Sequence, residues 1–203
     1  MSAILDALAE SVDGTVRGLS FEGEDLSGAD LGRVDFEDCT FTSCLFCETM
    51  FERPSFERCD FTACDLSNAR AAMAFLRGCR LLECRAVGTD LHQGIFTRTS
   101  FRDCNLAYSN FSEAKLEQVG FVRCDLHEAT LAQLRLKRLQ VEGCNLVRAE
   151  IFGTRLRGVD LSGSELAGIR VSNTFTELSG AKIGLEQAVD LVSLLGVKLV
   201  DAE

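Results

Sequence analysis

Residues 21–66 read FEGED LSGAD LGRVD FEDCT FTSCL FCETM FERPS FERCD FTACD L, and every block of five opens on Phe or Leu. The beat continues without a slip to Val171, giving 31 centres counted from Phe21, of which 26 are Leu or Phe. The other five are Ala71, Ala86, Val141, Ile151 and Val171. An α-helix repeats its apolar stripe every 3.6 residues or so, and a strand alternates every second residue, so neither accounts for a period of five. A fixed period is the mark of a stacked-repeat architecture.

The residue two before each centre is small, as at Ala29, Cys39, Cys44, Cys104, Ala129 and Ala149. The residue just before it is often Asp or Asn, and the two after it are mostly polar, charged or Gly. Each unit therefore has two inward and three outward positions, and only a coiled chain buries every centre. Four units close a square turn, so centres 20 residues apart stack, with a rise of about 4.8 Å per coil. Cys44, Cys64, Cys84, Cys104, Cys124 and Cys144 recur every 20 residues, and Cys39, Cys59 and Cys79 form a second ladder. A three-sided coil would scatter both. The 31 units make nearly eight coils, a rod roughly 37 Å long.

These units resemble the pentapeptide-repeat family, whose centre is Leu or Phe and whose preceding residues are commonly Ala or Cys and Asp or Asn. The resemblance implies a right-handed quadrilateral β-helix. The expected fold is thus an all-β solenoid of about eight coils, with a short N-terminal capping helix in 1–14, the β-helix in 15–173, and a C-terminal helix and strand module for capping and dimerisation in 174–203.

The chain holds one proline, Pro54, and no linker rich in Pro, Gly or Ser. No segment reads as a signal peptide or a bilayer span, so a cytoplasmic protein without membrane contact is expected. Nine of the ten cysteines take the small inward position; Cys47 is the outward exception. They read as small buried hydrophobes in a reducing compartment. Zinc needs four converging ligands, which ladder thiols do not supply. His92 and His127 follow centres on different sides, and no nucleotide-binding glycine motif precedes a helix. A packed interior of Leu and Phe has no room for convergent acid, base or nucleophile groups. The reading is of a non-enzymatic protein with no catalytic, cofactor or metal residues.

Residues 3–12 read as a helix with Ser2 as N-cap and Ile4, Leu5, Leu8 and Val12 on one face, covering the first coil. After Val171 the beat stops, and Phe175, Leu178 and Ile183 lie out of register. Residues 185–195 read as a second helix, with a stripe of Leu185, Ala188, Val189, Val192 and Leu195 that Leu191 and Leu194 broaden. Gly196 is its C-cap, and Val197, Leu199 and Val200 follow in an extended segment. This is more apolar surface than a cap needs and points to a two-fold dimer. Residues 181–197 resemble the carboxyl end of the MfpA and Qnr quinolone-resistance proteins, where such a module joins two rods end to end.

The formal charge of −10 repels nucleic acid, and no direct binding to it is expected. Residues 1–65 carry 15 acids and 4 bases, a net of −11, whereas residues 66–203 carry 16 and 17, a net of +1. Asp25, Asp30, Asp35, Glu37, Asp38, Glu48, Glu52, Glu57, Asp60 and Asp65 form the expected acidic partner-binding surface. The side that holds Asp35, Glu37, Asp38 and Glu57 later carries Arg98, Lys115, Arg135, Lys137, Arg138, Arg155 and Arg157, which contact an acidic partner or neutralise neighbouring acids. Between Ala69 and Gly88, Met73, Phe75 and Leu82 put apolar groups outward, as a bulge or as a partner contact. The resemblance implies a DNA mimic that binds type II topoisomerase, DNA gyrase or topoisomerase IV, and protects it from quinolones or a related poison. No inserted loop of the Qnr kind interrupts the repeat, so the MfpA type is the nearer likeness. The competing reading is a scaffold for protein–protein interaction without a topoisomerase role.

Overall fold

A computed structural model describes residues 2–11, 13–197 and 200. The chain winds as a right-handed, four-sided β-helix between two short helices. Every named strand pair is parallel, and nearly all join residues one full coil apart, as Phe36 to Phe56 and Phe41 to Phe61. Equivalent phenylalanines stack: Phe21 on Phe41 with ring centroids 5.4 Å apart, Phe41 on Phe61 at 4.7 Å, and Phe101 on Phe121 at 5.0 Å. All the centres are buried except Leu31, Phe51, Leu66, Leu136, Val141 and Val171, which are half-buried.

The corners explain the outward positions. In nearly every unit the residue two after the centre adopts left-handed backbone, as at Asp38 (φ 55°), Ala63 (φ 53°) and Tyr108 (φ 60°); after Leu31 it is Gly32 (φ 57°) that does so. None of the non-glycine corner residues is Val, Ile or Thr, because a β-branched side chain clashes there. Glycine takes several of these corners, such as Gly23 and Gly168, where it carries no Cβ penalty.

The inward cysteines are buried, as expected, but they also have polar partners. Each thiol donates to a carbonyl of the preceding coil: Cys59 to Phe36 at 3.5 Å, Cys79 to Phe56 at 3.1 Å, Cys104 to Leu81 at 3.4 Å. Thr49 and Thr89 make the same bond to Leu26 and Leu66 at 2.8 and 2.7 Å. Cys and Thr both serve at this position because both are small and both reach that carbonyl. Neighbouring thiols and burial hold Cys59, Cys84 and Cys124 far above the ordinary thiol range, so they stay protonated donors.

No bulge interrupts residues 69–88. Arg70 bridges Met50 and Asp90, and the strands Phe75–Arg77 and Arg80–Leu82 keep the common register. The missing bulk at Ala71 and Ala86 instead leaves an enclosed apolar cavity of about 40 Å³ among Phe46, Phe56, Leu66, Ala74 and Leu91.

The ends differ in detail from the sequence reading. Helix α1 spans Ala3–Glu10, and the Ser2 hydroxyl accepts from the Ile4 amide at 3.3 Å. Ile4, Ala7 and Leu8 meet the core while Leu5 is exposed; Val12 lies outside the described residues. At the other end the beat pauses and resumes. The Leu146 amide donates to the Glu165 carbonyl, the residue just before the centre of the next coil. Leu156 donates instead to Glu177 and Leu161 to Lys182, each two positions farther along than that spacing requires. Two residues have been inserted after Val171. Leu178 then packs as a centre against the core, and the Leu178 carbonyl accepts from Ala181 as earlier centres do. Leu178 and Ile183 are therefore in register with each other, displaced by two. The step would orphan the Gly153 amide, and the buried Glu177 carboxylate accepts it at 2.9 Å and takes the Ser172 hydroxyl at 2.8 Å.

Candidate interaction surfaces

The acidic residues of the early coils lie on all four sides of the rod. Asp25, Asp30, Asp38, Glu48 and Glu52 are exposed or nearly so; Asp35, Glu37, Glu57, Asp60 and Asp65 are half-buried. The structure divides the ten by partner. Five stand in ion pairs with arginines of the same or a neighbouring coil. Asp38 lies 2.7 Å from Arg58, Glu37 3.0 Å from Arg17, Glu57 3.3 Å from Arg77 and Asp65 3.9 Å from Arg85, while Asp60 is held by Arg80. The Arg58 guanidinium lowers Asp38, and Arg58 with Arg17 lowers Glu37, below the usual carboxylate range. The other five, Asp25, Asp30, Asp35, Glu48 and Glu52, have no such cation among the described residues. Asp25 accepts from the Ser27 amide at 2.9 Å, which lowers its pKa, and Asp30 from the Gly32 amide at 3.0 Å. Sequence reading passed over Glu22 and Glu24 in the first coil; Glu24 accepts from the Ala3 amide at 2.9 Å and ties α1 down.

Met73, Phe75 and Leu82 do not form one patch. Met73 is a corner residue and Phe75 stands on the adjoining strand, paired with Ile95, whereas Leu82 belongs to the next side. Ile95 is 42% exposed and extends the Phe75 position by one coil, a neighbour the sequence reading omitted.

On the side that begins acidic, Lys137 pairs with Glu117. Arg98, Lys115, Arg135, Arg138, Arg155 and Arg157 stand in no ion pair among the described residues. At the corner with the next side, strands Lys115–Val122 and Arg135–Glu142 run on without a break. Beside them lies a surface hollow of about 540 Å³ lined by Arg98, Arg102, Gly120, Val122, Arg138 and Gln140.

Helix α2, Leu185–Leu194, presents two different faces. Gln187, which sequence reading did not single out, is buried. Its Nε2 donates to the carbonyls of Ser162 and Ser164 at 2.8 and 3.0 Å, and its Oε1 accepts from the Gly184 amide at 2.7 Å. Leu191 and Leu194 pack on the core beside it, and Ala188 and Val192 are half-buried. Leu185, Val189, Leu195 and Val197 are exposed, Leu185 by 86%. The stripe of the sequence reading thus splits into an inward and an outward half. Gly196 has φ 72°, the left-handed C-terminal position expected of it. Leu199 lies outside the described residues.

Among the described residues no group of three or more His, Cys, Asp or Glu side chains is placed to hold a metal ion, and no helix is long and apolar enough to cross a membrane. His92 contacts Asp90 at 2.8 Å, and His127 meets Tyr108 edge-on, so the two histidines serve separate local contacts.

A profile described as a pentapeptide repeat region matches residues 54–131 and 94–171, together more than half of the chain. No curated protein matches the sequence. Among solved structures, trypsin-treated QnrB1, described as a plasmid-mediated fluoroquinolone resistance protein, is similar at 26% identity and a TM-score of 0.50, over 92% of this chain and 90% of that one. HetL from the cyanobacterium Nostoc, described as a pentapeptide repeat protein involved in heterocyst differentiation regulation, shares the fold at 18% identity and a TM-score of 0.51, over 83% of this chain and 86% of that one.

Proposed function

The chain belongs to the pentapeptide-repeat family, and we propose that it is a non-enzymatic, cytoplasmic DNA mimic that binds bacterial type II topoisomerase and protects it from quinolones or a related poison. DNA gyrase is the first target and topoisomerase IV the second. The observation that carries the reading is the likeness to a fluoroquinolone-resistance protein across 92% of the chain, joined to coils whose unpaired carboxylates Asp25, Asp30, Asp35, Glu48 and Glu52 wind around the rod. A duplex is a rod of closely and regularly spaced negative charge, and a basic DNA-binding saddle attracts any rod of similar sign. In this proposal two copies join through the outward half of α2, Leu185, Val189 and Leu195, so that the acidic coils form the two tips.

Purified gyrase and topoisomerase IV, assayed for supercoiling or decatenation and for drug-induced cleavage with added protein, test the reading. Protection that falls when Asp25, Glu48 and Glu52 are changed together to amides supports it. Unchanged cleavage and no complex with either enzyme refute it. Leu185→Asp with Val189→Asp is expected to yield monomers in sedimentation.

The scaffold reading is favoured by one observation: half of the ten acids are already neutralised by arginines of the rod. Under it the protein leaves both topoisomerases untouched.

A further inference from the structure

Side chains one coil apart stand in columns along the rod, at a spacing of about 4.8 Å. Charged columns mostly mix signs: Asp60 sits beside Arg80, Asp103 beside Arg123, Glu128 beside Arg148 and Glu150 beside Arg170. Like-signed neighbours also occur in pairs, as Glu37 in register with Glu57, but one column runs longer. Lys115 is in register with Arg135, and Arg155 follows one coil later in the sequence, a run of three cations with no paired carboxylate among the described residues. Like charges directly opposite each other on neighbouring strands are destabilising; the Glu117 carboxylate, already paired with Lys137, also feels the Lys115 charge and offsets part of that cost.

A second oddity lies beside it. Gly120 stands inside the strand Lys115–Val122, outside the left-handed region, and a Cβ there would meet only Gln140 at an ordinary 3.6 Å. Neither conformation nor space demands glycine, and glycine weakens a strand interior. Its effect is to leave bare backbone in the lining of the hollow of about 540 Å³, which Arg98 and Arg138 also line. A strand glycine often marks a bend or the close approach of a ligand or another backbone, and the ladder here keeps its register on both sides of Gly120.

We propose that this corner is a docking surface for a short acidic polypeptide segment. The segment's backbone crosses Gly120, and its carboxylates reach the Lys115–Arg135–Arg155 column and the guanidinium groups of Arg98 and Arg138, which suit paired carboxylate oxygens. The segment is short because the run of cations covers only the three coils from Lys115 to Arg155, while the same side farther along turns to Asp35, unpaired among the described residues, and to acids held by their own arginines. The surface stands whether or not the topoisomerase reading holds.

The test uses a fluorescein-labelled peptide of alternating glutamate and valine, read by fluorescence anisotropy on the full chain, with a duplex oligonucleotide as competitor. Binding is expected, weakened at least about tenfold by Arg135→Glu with Arg155→Glu and, separately, by Gly120→Gln, which puts bulk into the hollow. The melting temperature of Arg135→Glu alone is expected to hold or rise, because that change restores alternation of sign. Any of four results overturns the proposal: no peptide binding; equal binding by the variants; a lower melting temperature for Arg135→Glu, which makes the column structural; or stronger binding of the duplex. Salt-sensitive self-association of the wild-type chain that both variants abolish would name a second copy as the occupant instead, and equally overturn it.

Discussion

Replacing Gln187 by leucine removes polar bonds at the C-terminal cap while keeping a side chain of similar bulk. Three bonds disappear: the acceptor for Gly184 at 2.7 Å and the donors to Ser162 and Ser164 at 2.8 and 3.0 Å. At about 1 kcal/mol net for each intramolecular hydrogen bond, the attachment of α2 weakens by roughly 3 kcal/mol. Since about 1.4 kcal/mol is tenfold, the helix opens more than roughly a hundredfold more often. Leu191 and Leu194 still pack, so the loss is confined to the cap. Amide hydrogen exchange reads it directly at a fixed protein concentration: protection in residues 185–195 should fall, while amides between Phe101 and Phe121 keep theirs. Gln187→Glu, which retains the acceptor but aims a carboxylate at two carbonyl oxygens, should do no better. If Gln187→Leu leaves α2 protected, or if protection falls evenly along the whole rod, the buried amide is not what holds the cap.

Three further changes test other parts of the structure. Ala86→Leu restores a missing centre over a cavity of about 40 Å³; at about 24 cal/mol per Å³ this is worth about 1 kcal/mol, a rise of roughly 2–4 °C in the thermal midpoint, and a fall shows the site is closed to added bulk. Glu177→Ala removes a carboxylate that serves Gly153 and Ser172 and should cost about 2 kcal/mol, seen as exchange of the Gly153 amide. Burial alone would raise the Glu177 pKa, but these bonds outweigh it and lower it. The stability it contributes is therefore complete above the unfolded glutamate value of about 4.3 and fades as pH falls through the lower folded value. A wild-type last coil that is equally protected at about pH 6 and well below about pH 4 contradicts this. At the corner residue Ala63, with φ 53°, glycine should stabilise by about 1 kcal/mol and valine destabilise by more, measured by denaturant midpoint; the reverse order refutes the corner rule.

The centres made the rod readable because each five-residue unit presents the same two inward groups, and the cysteine ladders fixed four units to the coil. What escaped was set by partners distant in sequence. Nothing around Gln187 says that it reaches Ser162 and Ser164, and its amphipathic neighbourhood hides which half of the α2 stripe faces the rod. Leu178 and Ile183 looked out of register because a two-residue step is invisible until the backbone bonds on either side of it are traced. The ten acids looked alike in sequence, yet an arginine on the coil before or after decides which remain unpaired. Residues 69–88 suggested a bulge because outward apolar groups coincide with small centres. The parallel ladder, bonded above and below, kept its register and left a void instead.

The closing of each coil by four equivalent units makes azimuth around the rod a matter of counting. Phe36 and Phe56 share a side because one full coil separates them. Inserting a single repeat unit between them would keep a large centre and a small inward residue at every interior position, with new partners in each stack, while turning all that follows by a quarter of a revolution. Four such insertions would restore the original phase. The angle between the acidic coils and the outward half of α2 can thus be re-clocked by changes in length alone, without altering one interior residue type. A two-residue step has no such equivalence; here it comes at the last coil, beyond the regular beat, and is sealed by the carboxylate of Glu177. Length variation in whole units is in this fold a rotation of function about an unchanged axis.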